Sequence, residues 1–115
     1  LVCMGAFKLV DLFCGAGGMT KGFAQVGFDP VLAVDKDRWA VNSYNSNFPG
    51  NHGILSDLTK SIPDYPKADI LIGGPPCQGF SQLGKQDPDH PLNSLWHNYL
   101  QAVEAIQPSV FVMEL

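Results

Sequence analysis

Short apolar runs, each stopped by glycine, proline or an acidic residue, punctuate the chain from Phe7 onward. The first, Phe7 to Phe13, ends at Cys14-Gly15-Ala16-Gly17-Gly18, the pattern of a buried strand entering a glycine-rich turn. Met19, Phe23 and Val26 then recur at helical spacing, and Gly27 supplies a C′ stop. Val31-Leu32-Ala33-Val34 predicts a second strand that ends at Asp35. Asp37 is placed to cap a helix reaching about Phe48, with Val41, Tyr44 and Phe48 on one apolar face and Pro49-Gly50 closing it. Gly53 to Leu58 predicts a weak third strand, and Ser61 to Lys67 a loop. Ala68 to Gly73 predicts a fourth strand, running into Gly74-Pro75-Pro76-Cys77, where no regular element continues. The stretch from Gln78 to Pro91 reads as a long loop of the kind that is usually functional or disordered. Asn93 to Ile106 predicts a helix, and Val110 to Met113 a fifth strand ending at Glu114.

Strand alternating with helix implies an α/β fold: a Rossmann-like parallel sheet of about five strands, covered on both faces and joined by right-handed crossovers. Ligands of such sheets bind beyond the carboxyl ends of the strands. The glycine turn, Asp35, Cys77 and Glu114 each fall at such an end. That co-location is the main functional signal independent of any family pattern.

Composition narrows the picture. At 115 residues, 45% hydrophobic and 16% charged, the chain suits one soluble globular domain. No apolar run approaches the ~18 residues of a membrane span, and the basic-then-apolar layout of a secretory signal is missing. Cys3, Cys14 and Cys77 have no short paired spacing, which favours a reducing compartment over a disulfide scaffold. His52, His90 and His97 have no metal-binding companions, so no metal site is expected. The net charge of −4, with seven scattered basic residues, counts against this segment gripping nucleic acid by itself.

Among the candidate residues, Gly15, Gly17 and Gly18 would let the backbone approach a ligand near a helix start, though a tight structural turn explains them nearly as well. A dinucleotide fingerprint would place glycine where Thr20 stands. Asp35, some twenty positions on, could accept from both hydroxyls of a ribose or act as a cap; with the turn it points to an adenosine-bearing cofactor. Cys3 reads as an inert hydrophobe, and Cys14 as either packing or part of the turn. Cys77 differs, because two prolines hold it in a stiff loop at the sheet edge, which suits a nucleophile. Gly73-Gly74 before it would admit a substrate. Glu114 could meet a ring nitrogen of a bound base or simply face solvent. A zinc deaminase is excluded, since Phe80 stands where its second cysteine would be and no H-x-E occurs.

Three stretches resemble the cytosine-C5 DNA methyltransferase family: Asp11 to Met19 its S-adenosylmethionine motif, Gly73 to Ser81 its catalytic loop, and Val112-Met113-Glu114 the start of its E-N-V motif. Val34-Asp35-Lys36-Asp37 resembles the ribose-binding turn, and Asp57-Leu58 the short motif near the adenine. The resemblance covers the chain from Phe7 onward and implies the amino-terminal part of a methyltransferase-type catalytic domain. It implies Cys77 as nucleophile and Glu114 as its partner on the base. Phe13, Gly15, Ala16, Gly17, Gly18, Asp35, Lys36, Asp57, Leu58 and Pro75 would lie on the S-adenosylmethionine side, and Gln78 and Ser81 on the substrate side. Double-stranded DNA would be the partner, with a flipped-out cytosine as the reacting base.

The departures are also specific. Leu92-Asn93-Ser94-Leu95 stands where the family often has Arg-Asn-Ser-Leu, and Leu115 where it has asparagine. The family's later motifs and target-recognition region are not among these residues. The 115 residues by themselves are therefore expected to bind cofactor weakly and to methylate nothing. Rival readings are a tRNA cytosine-5 methyltransferase and a non-catalytic or split subunit completed by a partner chain. A bacterial cytoplasmic or nucleoid location is the accompanying expectation, with a restriction-linked, a solitary or a regulatory role each compatible with the sequence.

Overall fold

The structure, a computed structural model, describes residues 6–76 and 94–114. Five strands, β1 (Lys8–Leu12), β2 (Asp29–Asp35), β3 (Gly53–Leu55), β4 (Ile70–Gly73) and β5 (Val110–Met113), are interspersed with three helices, α1 (Gly18–Ala24), α2 (Arg38–Asn47) and α3 (Ser94–Ile106), and β3 runs to β4 through a loop in place of the helix that strict alternation would put there. The strands form one parallel sheet in the order β3-β2-β1-β4-β5. The chain winds outward from β1 in one direction to β3, then returns to lay β4 on the other side of β1. The reversal creates a crevice beyond the carboxyl ends of β1 and β4, where open α/β sheets bind their ligands.

Alternation along β1 divides the core. Val10 and Leu12 face α3, packing with Leu71, Tyr99, Ala102 and Ile106. Leu9 faces the other way, toward Met19 and Phe23 from α1. Ala33, the register partner of Asp11, packs on Tyr44 of α2 on that same second face. The sheet is therefore covered on both faces, as the alternation of elements required. Tyr99, wholly buried, donates from Oη to the carbonyls of Val112 (2.8 Å) and Leu71 (3.3 Å), fixing α3 across β4 and β5.

The expected elements are present with shifted ends. β1 stops before Phe13, which adopts φ 57 and cannot continue a strand. β2 begins two residues earlier than the Val31 start and includes Pro30. The ladder accommodates that proline by slipping a residue: Leu9 pairs with Pro30 but Val10 with Leu32. β3 is shorter than expected because the chain turns away at Asp57, although Ser56 N–H still donates to the Asp35 carbonyl at 2.9 Å. β4 starts at Ile70 rather than Ala68. Asp37 caps α2 as expected, its side chain accepting from Trp39 N–H at 2.9 Å. Gly27, at φ 103, ends α1 with paired bonds from Gly27 N–H to Ala24 and Phe28 N–H to Phe23. The long loop from Gln78 to Pro91 lies outside the described residues.

Candidate functional site

The carboxyl ends of β1, β2, β4 and β5 meet at the reversal of the sheet. Phe13 turns out of β1 in the left-handed region, which a bulky side chain seldom adopts without a local role. Cys14 N–H donates to the Val34 carbonyl at 3.0 Å, so the turn begins as an extension of the β1–β2 ladder. Gly15 (φ 55) and Gly17 (φ 99) then carry the chain into α1.

Asp35 holds this turn. Its Oδ2 accepts from Gly15 N–H at 2.9 Å, and its Oδ1 accepts from Asp37 N–H at 2.9 Å. Each carboxylate oxygen has more than one acceptor site, so both can also receive from a ligand hydroxyl. Asp57 stands nearby at the turn after β3. Its Oδ1 accepts from Thr59 N–H (2.9 Å) and Thr59 Oγ1 (2.6 Å), and these bonds hold its carboxyl below the usual carboxylate range.

Two cavities flank Phe13 and Gly74, which line both. The first, about 200 Å³, has apolar walls from Val34, Leu58 and Leu95 and polar edges from Asp35, Lys36 and Asp57. Apolar walls beside two carboxylate acceptors match the chemistry of a nucleoside, whose hydroxyls and exocyclic amine donate. The second, about 390 Å³, is bounded by Asp11, Cys14, Met19, Pro75 and Glu114. Glu114 is exposed, and its N–H donates to the Gly73 carbonyl at 3.0 Å, setting the residue just past β5 beside the end of β4. Phe13, Asp35, Lys36, Asp57 and Leu58 are thus brought together in the first cavity, and Pro75 and Glu114 in the second. Cys77, Gln78 and Ser81 lie outside the described residues; Pro76, on the wall of the first cavity, immediately precedes Cys77.

The glycines of the two turns have packing reasons of their own. Ala16, Gly17 and Gly18 do not line either cavity; they border a separate depression with Lys21, Asn47 and Phe48. A Cβ on Gly17 would lie 2.3 Å from the Phe48 ring and 2.9 Å from Tyr44, so α2 packing is what demands glycine there. At Gly73 a Cβ would meet the Leu12 carbonyl oxygen at 2.6 Å and Tyr99 at 2.9 Å, so packing asks for glycine there too. Gly74 alone of that pair opens toward Glu114, with no neighbour closer than 3.6 Å.

Cys14 resolves as a packed thiol. It is 7% exposed, its Sγ lies 3.4 Å from the Gly15 carbonyl, and burial pushes its pKa up to about 12. A thiol held that firmly protonated is a poor nucleophile.

Sequence patterning missed a buried polar set on the same side. Asp11, 1% exposed, accepts from Thr20 Oγ1 at 2.5 Å, and burial pushes its carboxyl up to about 7. Thr20 falls in the first turn of α1, whose N-cap, Gly17, has no side chain to offer. A carboxyl from the neighbouring strand serves that helix start instead. The signal that could have found it is the polar residue inside the otherwise apolar run of β1. Among the described residues, no group of histidine, cysteine or acidic side chains could hold a metal, and no helix is long and apolar enough to cross a membrane.

The chain is similar to known proteins along nearly its whole length. The family model for C-5 cytosine-specific DNA methylase matches residues 7–114. Type II methyltransferase M.DdeI of Desulfomicrobium norvegicum is 40% identical over 112 residues, covering 93% of this chain and 27% of that protein. Type II methyltransferase M1.HphI of Haemophilus parahaemolyticus is 38% identical, covering 99% of this chain and 33% of that protein. A crystal structure described as a DNA modification methyltransferase encoded within an Escherichia coli prophage superposes with a TM-score of 0.77 at 34% identity, covering 94% of this chain and 31% of that one. The chain thus spans between 27% and 33% of the length of these relatives.

Proposed function

Because the chain belongs to the C-5 cytosine-specific DNA methylase family, whose members take their methyl group from S-adenosylmethionine, we propose that it carries the nucleophile and cofactor cradle of a DNA (cytosine-5-)-methyltransferase. The observation that carries the reading is the pair of cavities meeting at Phe13 and Gly74, one edged by Asp35 and Asp57, the other by Glu114.

The first cavity suits the adenosine portion of the cofactor. Asp35 accepts from the ribose hydroxyls, Asp57 accepts near the adenine, and Phe13, Val34 and Leu58 exclude water from the ring faces. Asp35 also keeps the Gly15 turn in place, so one carboxylate both shapes the cradle and contacts its occupant. When bound, the cofactor supplies a methyl group on a sulfonium sulfur.

The second cavity suits the target base. Cytosine has to leave the helix to reach it, because its reacting edge is covered while stacked. The Cys77 thiolate adds to C6, and the electron pair displaced into the ring makes C5 nucleophilic. Glu114 contacts N3 and the exocyclic amine, stabilising charge that develops on the ring. Once C5 carries the methyl group it loses its proton, the ring double bond reforms and the bond to Cys77 breaks. Gln78 and Ser81 are assigned to the substrate side of the same loop. With only seven basic residues and a net charge of −4, this part supplies chemistry, and the hold on phosphates comes mainly from other parts of the enzyme.

The test is methyl transfer by the full-length protein to duplex DNA, read as nucleosides by mass spectrometry. 5-Methylcytosine that disappears in Cys77→Ala is the expected result. Methylation of a different base, or retention of activity in Cys77→Ala, would overturn the reading.

A further inference from the structure

The roles above leave a connected set of buried polar side chains unused. Thr20 Oγ1 is 2.5 Å from Asp11 Oδ2, Tyr44 Oη is 3.3 Å from Thr20 Oγ1, and His52 Nε2 is 2.8 Å from Tyr44 Oη. Asp11 borders the larger cavity, while Thr20 and Tyr44 are wholly buried and His52 is only partly so. Three links therefore run from the cavity wall, through α1 and α2, to an imidazole within reach of solvent.

Counting hydrogens shows what this chain can do. Each link needs one hydrogen, and the Thr20 and Tyr44 hydroxyls bring two. The third has to come from an end, either the Asp11 carboxyl or His52 Nε2. The Pro49 carbonyl favours the charged form of the imidazole, and a His52 that donates from both nitrogens is an imidazolium. Two complete arrangements result. In one, Asp11 and His52 are both neutral and every donor points outward; in the other, Asp11 is a carboxylate, His52 is charged and every donor points inward. They interconvert when three hydrogens each move one place.

We propose that Asp11, Thr20, Tyr44 and His52 form a proton relay between the larger cavity and solvent. Asp35, Cys14 and Tyr99 are the titratable groups that feel Asp11, and Asp29 faces His52. Burial raises Asp11 and lowers His52, which brings the two ends closer in proton affinity. The cargo rests on the proposed function, since methylation at C5 releases one proton into that cavity per turnover. The C5–H electron pair returns to the ring as the Cys77–C6 bond breaks, and the proton passes to the Asp11 carboxylate. His52 releases one proton to solvent, the Thr20 and Tyr44 hydroxyls turn to point outward, and the three-hydrogen shift then restores the carboxylate and the imidazolium, so one proton enters and one leaves with no oxidant or co-reactant.

The relay is tested by NMR titration of the His52 imidazole, assigned by comparison with His52→Gln. Asp11→Asn should lower the His52 midpoint by on the order of half a pH unit or more, because coupled sites titrate together. In a Tyr44→Phe or Thr20→Val background the same substitution should leave it in place, whereas Thr20→Ser should behave like the parent. An equal shift with and without the Tyr44 hydroxyl, or no shift in the parent, would overturn the relay. These spectra involve neither DNA nor methyl donor, so they stand apart from the success of the proposed function. In the active protein, Tyr44→Phe should slow turnover several-fold while trapping 5-fluorocytosine DNA at the parent rate, since that base has no C5 proton to lose. Unchanged turnover would remove the assigned cargo.

Discussion

The Gly15 amide donates to the Asp35 carboxylate at 2.9 Å, so the turn that follows β1 is held by the residue that ends β2. A charge-assisted bond of this kind contributes about 1.5–3 kcal/mol. Asp35→Ala should therefore cost stability as well as cofactor affinity. Calorimetry with S-adenosylhomocysteine is expected to show at least about tenfold weaker binding, the equivalent of roughly 1.4 kcal/mol. Thermal melting should show a lower midpoint even without ligand. A variant that melts like the parent would detach the turn from Asp35.

Two glycines near α1 should respond in opposite directions. Gly17→Ala places a methyl against Phe48 and Tyr44 at φ 99, a clash with α2 on top of a left-handed backbone. A loss of about 2 kcal/mol or more is expected. Gly22 lies within α1 with nothing within 4 Å of its Cβ position, so Gly22→Ala should gain about 0.5–1 kcal/mol from helix propensity. Denaturant melts of the two variants check the contrast directly.

Asp11 gives the fold a pH dependence opposite to that of a salt-bridged carboxylate. Its pKa rises from 3.8 to about 7 in the folded state, so the folded chain binds the extra proton between those values. The stability it contributes is complete below the unfolded value and is lost as pH rises through the folded one. Asp11→Asn removes that loss. The variant should be more stable than the parent near pH 8 by roughly 1–3 kcal/mol, with the advantage gone by about pH 4. A constant difference across that range would contradict the buried, protonatable assignment.

How much of this was legible in the sequence follows from the range of each interaction. β5 was read residue for residue because Val110 to Met113 is a closed apolar run, and α2 because Asp37 caps it and Pro49-Gly50 ends it. Those signals are local. Phe13 was read as strand because nothing in an apolar run announces a left-handed turn. Gly17 and Gly73 were assigned to ligand contact, yet their neighbours are Phe48 and Tyr99, tens of residues away. Asp11 looked like one polar member of a strand, since Thr20 and Tyr44 reach it only after folding. The first cavity was legible in outline: Asp35 sits at a strand end that any parallel sheet gathers, and Asp57 was named by the family resemblance. Cys77, Gln78 and Ser81 were assigned by the proline-cysteine loop and its family resemblance, and their placement lies outside the described residues.

Cys77 is the proposed nucleophile toward the target base. Duplex DNA carrying 5-fluorocytosine, offered to the full-length protein with S-adenosylmethionine, tests it most directly, because the fluorine blocks the last step and leaves the adduct in place. A protein–DNA species stable to denaturing electrophoresis is expected, retained in Cys14→Ala and absent in Cys77→Ser. No adduct in the parent, or an adduct that survives Cys77→Ser, would rule out Cys77 as the nucleophile.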